Sequence, residues 1–212
     1  MRNYLIFPIL GVLLSLVFIL AGCGGGTTGS GEAYSGSVLT VEYISGYYNG
    51  EYTDEVDAWQ DADCDGDPTT NDPEFYSNHD AVIKISNRPR PNEEDKDLAT
   101  DIVIEKYTIE YRISETDAPG APVLSSRTVY KTIYLPVLEE GEDPEEHYID
   151  LVDLDTKSEF RTQWEQGSYD PFQDLPVRYQ VFYTFYGQNV FGKDVTITAN
   201  INITIANYDY CE

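Results

Sequence analysis

Apolar side chains recur at every second position over long stretches of this chain. Near the C-terminus Val195, Ile197, Ala199, Ile201, Ile203 and Ile205 alternate with Thr196, Thr198, Asn200, Asn202 and Thr204, the period of a strand with one face on a core and the other in water. Just upstream, Val177, Tyr179, Val181, Tyr183 and Phe185 alternate with Arg178, Gln180 and Thr184, and the segment from Gly187 to Gly192 supplies hairpin punctuation. The pattern predicts an antiparallel hairpin from about residue 177 to 207. Val38 to Tyr43, Ala81 to Ile85, Ile102 to Ile113 and Val129 to Val137 read as further strands. Turn-forming stretches bound them, such as Asn87-Arg88-Pro89-Arg90-Pro91 and Ala118-Pro119-Gly120-Ala121-Pro122. Only Leu151 to Trp164 has a helical spacing, through Leu151, Leu154 and Trp164 with Lys, Glu and Arg between them.

Roughly six to eight short strands separated by Pro- and Gly-bearing loops, without alternating helices, predict an all-β fold: an antiparallel β-sandwich of immunoglobulin-like kind, with at most one short helix. Residues 38–212 suit a single domain of this class. No internal repeat is visible. The 18 tyrosines fit a sandwich, because their rings pack on half-buried strands while the hydroxyls reach water.

The N-terminus is different in kind. Arg2 precedes an uncharged, mostly aliphatic run from Tyr4 to Leu20 that ends in Leu20-Ala21-Gly22-Cys23, the anatomy of a secretory signal peptide over residues 1–22. The four terminal residues resemble the lipobox of bacterial lipoproteins. The resemblance implies that the Cys23 thiol is diacylated, that the signal is cut just before it, and that the chain is held by acyl chains worth ~0.8 kcal/mol per buried methylene. Gly24 stands where an Asp would resemble an inner-membrane retention mark, so the resemblance implies the outer membrane or cell surface. The alternative is an uncleaved anchor, since the run approaches the ~17-residue lower limit of a spanning helix. In residues 23–37, Cys23 is followed by Gly-Gly-Gly-Thr-Thr-Gly-Ser-Gly, and the stretch reads as a flexible tether with a reach of roughly 20 Å.

Charge narrows the partners. The whole chain carries a net charge of −25; without residues 1–22 it has 12 Lys and Arg against 38 Asp and Glu, a net charge of −26. Nucleic acid is excluded as a partner, because it needs a basic footprint. The expected partners are the membrane, through the lipid anchor, and a protein or glycan at the cell surface. The acidic runs Asn92 to Asp97 and Glu139 to Glu146 read as exposed loops.

With Cys23 acylated, Cys64 and Cys211 remain, and in an oxidising compartment an isolated pair most simply forms a disulfide. The alternative use, as metal ligands, lacks a second Cys or His at ligand spacing. Cys64 lies inside Asp61-Ala62-Asp63-Cys64-Asp65-Gly66-Asp67-Pro68-Thr69-Thr70-Asn71-Asp72. Oxygens at alternate positions with a Gly to turn the chain suit calcium, which takes about six to eight of them. The stretch resembles the Asp-x-Asp-x-Asp-Gly loops of EF-hands, dockerins and thrombospondin type 3 repeats. That resemblance implies Asp61, Asp63 and Asp65 as ligands, Gly66 as the turn, the Asp67 carbonyl as a fourth ligand and Asp72 at the closing position. Pro68 and Pro73 depart from the pattern, and Pro73 forbids an immediate exit helix. Seven carboxylates between Asp54 and Asp67 repel one another unless a cation intervenes; the other reading is a solvated acidic turn. Glu74, Asn78 and Asp80 are candidates to complete the shell.

Catalytic signatures are missing from the sequence. His79 and His147 accompany no recognisable nucleophile motif and read as surface residues, and there is no Gly-rich phosphate loop. The expectation is a non-enzymatic, calcium-stabilised binding or structural module; the alternative is a secreted hydrolase or accessory carbohydrate-binding domain. Trp59, Tyr47 and Tyr48 are candidate sugar- or partner-binding aromatics unless they pack in the core.

Overall fold

The computed structural model describes residues 30–32, 36–60, 64, 73–91, 98–114, 120–167 and 176–208. The alternating segments form β2 (Ser37–Tyr48), β5 (His79–Pro89), β6 (Ile102–Ile113), β7 (Arg127–Leu135), β9 (Val177–Asn189) and β10 (Asp194–Ala206). Shorter strands are β1 (Ser30–Glu32), β3 (Glu51–Tyr52), β4 (Glu55–Asp57) and β8 (Glu146–Val152), and the helix α1 spans Leu154–Gln166. Two five-stranded sheets result, one ordered β1-β2-β5-β8 with β3 on β2, the other β4-β10-β9-β6-β7. All pairings are antiparallel except β4 with β10. This is an immunoglobulin-like sandwich: β2, β5 and β8 take the places of strands A, B and E, and β6, β9 and β10 those of C, F and G.

Three expectations change. Ser30–Glu32, within the stretch that reads as a tether, pairs with Val38–Thr40 as a strand. Leu151 belongs to β8, not to the helix: it alternates inward with Ile149, and the helix starts only after Asp153, whose Oδ1 accepts from Thr156 N at 2.8 Å. Glu146, the last residue of the expected acidic loop, is the first residue of that same strand.

The core lies between the sheets, with Val41, Ile83 and Leu151 on one side and Ile109, Val181 and Ile201 on the other. Tyrosines of the second sheet reach across it to β8 instead of to water. Tyr183 Oη donates to Asp150 O at 3.0 Å, and Tyr107 Oη accepts from Asp150 N at 2.9 Å; Tyr111 Oη donates to Leu151 O. Each satisfies a backbone group that the packing would otherwise strand. Helix α1 closes one side through Phe160, which is fully buried against Trp59 and Tyr179. No helix among the described residues is long and apolar enough to cross a membrane.

Gly187 faces a bulge between Ile104 and Lys106, and a Cβ there would lie 2.2 Å from Val103 O. Gly187→Ala therefore forces two backbones apart and is expected to cost about 1–3 kcal/mol, read as a lower urea midpoint at unchanged slope.

Candidate functional site

Both ends of the acidic segment are gripped at one place. On the way out, β4 runs beside the end of β10 in the register Glu55↔Thr204 to Asp57↔Ala206, and Ala58 N donates to Ala206 O at 2.9 Å. Asp57 Oδ1 accepts from Trp59 N at 3.2 Å and from Tyr208 N at 3.1 Å, which ties the outgoing chain to the C-terminal strand. On the way back, Glu74 O accepts from Gln60 Nε2 at 3.0 Å, Tyr76 Oη donates to Ala58 O at 2.9 Å, and Tyr48 Oη donates to Phe75 O at 2.6 Å. Residues 60 and 74 are thus held together as a neck.

Beneath the neck sits a buried polar cluster that no spacing in the sequence announces. Asp57, Glu74, His79 and Lys157 are each at most 3% exposed. Lys157 arrives from α1, with Nζ 4.1 Å above the Tyr76 ring and 5.4 Å from that of Tyr48. Nζ has no hydrogen-bond partner among the described residues, nor has Asp57 Oδ2. Ring faces substitute in part for the lost water. His79 stacks on Tyr48 at 3.8 Å with the rings 3° from parallel, which corrects the expectation of a surface histidine. His147 is half-buried, on β8.

The electrostatics follow from burial. Burial pushes the Asp57 carboxyl up to about 6, helped by Glu74 and opposed by the Trp59 and Tyr208 amides and by Lys157. Burial also brings the Lys157 ammonium down to about 8, against the pull of Asp57 and Glu74. His79 falls to about 2, through burial and the Lys157 charge, and is neutral. The neutral imidazole packs as an aromatic ring, stacked on Tyr48.

The proposed calcium ligands Asp61, Asp63, Asp65, Asp67 and Asp72 lie outside the described residues, as do Cys23, Cys211 and the run Asn92 to Asp97. Cys64 is disulfide-bonded, with its partner outside the described residues. Of the three candidates to complete a shell, Glu74 is buried at the neck. Asn78 is committed elsewhere, its Oδ1 accepting from Leu154 N at the start of α1. Asp80 stands opposite Asp150 and Tyr47 in the sheet. Among the described residues no group of three or more His, Cys, Asp or Glu side chains is placed to hold a metal ion. Of the candidate aromatics, Tyr48 is buried and Trp59 packs against Phe160 and Trp164; Tyr47 lies partly exposed among other tyrosines.

No protein-family model, no curated protein and no solved structure matches the chain.

The Asp57 carboxyl makes the stability of the fold depend on pH. Its folded value, about 6, lies above the ordinary 3.8, so its contribution to stability is full below about pH 4 and is lost as pH rises through about 6. Asp57→Asn keeps an oxygen for both amides and removes the ionisation. Urea unfolding at pH 4 and pH 7 is expected to show the parent losing stability relative to Asp57→Asn over that interval; parallel pH profiles would contradict it.

Proposed function

We propose that the chain is a lipid-anchored, extracytoplasmic binding or structural module of the bacterial outer membrane or cell surface, with no catalytic role, whose acidic loop binds calcium. The observation that carries the calcium reading is the neck: residues 58–60 and 74–76 are fastened to each other, and Ala58 is fastened to β10. Fixing the ends of a carboxylate-rich segment lowers the entropy a cation must overcome to gather its ligands, and concentrates a repulsion that a divalent ion relieves. The ligands proposed are Asp61, Asp63, Asp65, the carbonyl of Asp67, and Asp72.

A Cys64–Cys211 disulfide belongs to the same reading. Because β4 and β10 run parallel, the chain leaves both strands at the same end of the sheet, seven residues before Cys64 and five before Cys211. Acylation of Cys23 removes the other possible partner. Export supplies the oxidising space the bond needs.

Thermal melting of the mature protein in millimolar calcium and in chelator tests the metal. A native-state ligand must raise the melting temperature, and a concentration a hundred times Kd adds about 2.7 kcal/mol. An identical melting temperature in both media would sink the calcium reading.

Intact mass tests the anchor and the disulfide together. The parent is expected to carry acyl chains on Cys23 and to weigh two hydrogens less than its reduced form. Cys23→Ala should lose the acyl mass and be released or mislocalised; a membrane-extracted parent chain of unchanged mass, with residues 1–22 intact, would identify an uncleaved helix instead.

A further inference from the structure

The outer face of the first sheet carries an aromatic corner that the core does not need. Alternation from Leu39 and Val41 would turn Tyr43 inward, but a bulge between Val41 and Tyr43 inserts Glu42 and resets the phase. Ile44 then takes the inward place, while Glu42, Tyr43 and Tyr47 face out. Tyr52 of β3 packs edge-on against both tyrosines, at 6.1 Å and 85° from Tyr43 and at 5.5 Å from Tyr47, and Tyr47 meets Tyr148 of β8 at 5.2 Å. Val82, opposite Ser45 and Tyr148 in the sheet, points outward yet is fully buried. Tyr43, Tyr148 and Tyr52 nevertheless remain 38%, 45% and 54% exposed.

Beside Tyr43 and Tyr52 lies a groove of about 370 Å³, near the lower end of the ~300–1,000 Å³ range of small-ligand sites. Its floor is a row across three strands, Tyr43, Lys84 and Glu146, in which Lys84 Nζ lies 3.1 Å from Glu146 Oε1. Its wall is Asp143 and Pro144. Arg88 braces that wall, donating from Nη1 to Glu139 O at 2.9 Å and from Nη2 to Glu142 O, and lies 3.8 Å from Glu42.

We propose that this corner is a glycan-binding subsite for a neutral pyranose, with Tyr43 and Tyr52 meeting the apolar C–H face of the sugar and Lys84 with Glu146 binding two neighbouring hydroxyls. Perpendicular rings give the sugar a floor and a side. The Glu146 carboxylate accepts from one hydroxyl and the Lys84 ammonium beside it donates to the next, which suits the vicinal diol of a sugar. Glu42, Asp143 and Glu146 outnumber Lys84 in the lining and repel uronate or sulfated chains. A cationic peptide fits less well, because Lys84 and Arg88 already answer Glu146 and Glu42. The groove also crosses the strands, so it offers a peptide no backbone ladder to extend. The proposal rests on the reading of the chain as a binding module and gives it a ligand; it needs neither the anchor nor calcium.

The test is calorimetric titration of the full mature protein in detergent with cellohexaose, xylohexaose and maltohexaose, and with polygalacturonate and a lysine-rich peptide as the competing chemistries. At least one neutral hexasaccharide is expected to bind with a Kd on the order of 1 mM or tighter. Tyr52→Ala and Tyr43→Ala should each weaken it about tenfold, the change that ~1.4 kcal/mol of ring contact represents. Tyr52→Phe, which keeps the ring, should stay close to the parent, and unchanged melting temperatures would show that the variants fold. Absence of binding to all three neutral sugars, or binding indifferent to both Ala variants, overturns the proposal. Tyr52-dependent binding of the lysine-rich peptide alone would overturn the sugar while leaving a binding module; indifference to every probe would count against both.

Discussion

One carboxylate oxygen holds two distant parts of this chain together. Asp57 Oδ1 accepts from the amide of Trp59, two residues on, and from that of Tyr208, 151 residues on. Around that point β4 pairs in parallel with β10, Trp59 packs on the helix, and the neck of the acidic loop closes. Neutral partners would do the same geometric work at lower cost, because burying an ionised carboxylate is unfavourable. Asp57 is tolerable because amide dipoles and the Lys157 charge oppose the burial, and Lys157 is tolerable because Asp57, Glu74 and two tyrosine faces surround it. The cluster stands or falls as a unit, which is the usual condition of buried polar networks.

The second sheet was largely legible in the sequence and the first was not. Ile102–Ile113 is both the expected and the observed extent of β6, since its alternation runs unbroken by bulge-induced phase changes on the inward face from Tyr107 onward. In β2 the alternation alone ends the strand at Tyr43, whereas it continues to Tyr48. Glu42 resets the phase there, and Gly46, which looks like punctuation, is a point where Thr53 O comes within 2.0 Å of where a Cβ would be. The strand β8 was hidden because Leu151 satisfies a helical spacing as well as a strand one, and only the Asp153 cap separates the two.

The polar cluster was illegible for a different reason. Asp57, Glu74, His79 and Lys157 come from two strands, a loop and a helix, and no local period relates them. Lys157 looks like the solvated face of a weakly amphipathic helix until Phe160, one turn on, docks on Trp59 and Tyr179. Composition did point to the acidic loop, and charge repulsion made it the natural place to look for a cation. Its anchoring at residues 58–60 and 74–76 is tertiary, and rests on strands far away along the chain.

That anchoring has a consequence in time as well as space. The ladder partner of β4 is β10, far along the chain, so β4 cannot complete its pairing until residues 204–206 exist, whereas the neck joins neighbouring stretches of chain. Contacts separated by so many residues form late, after closure of a very large loop. During synthesis the strand that leads into the acidic segment is therefore made early and fixed in its sheet late.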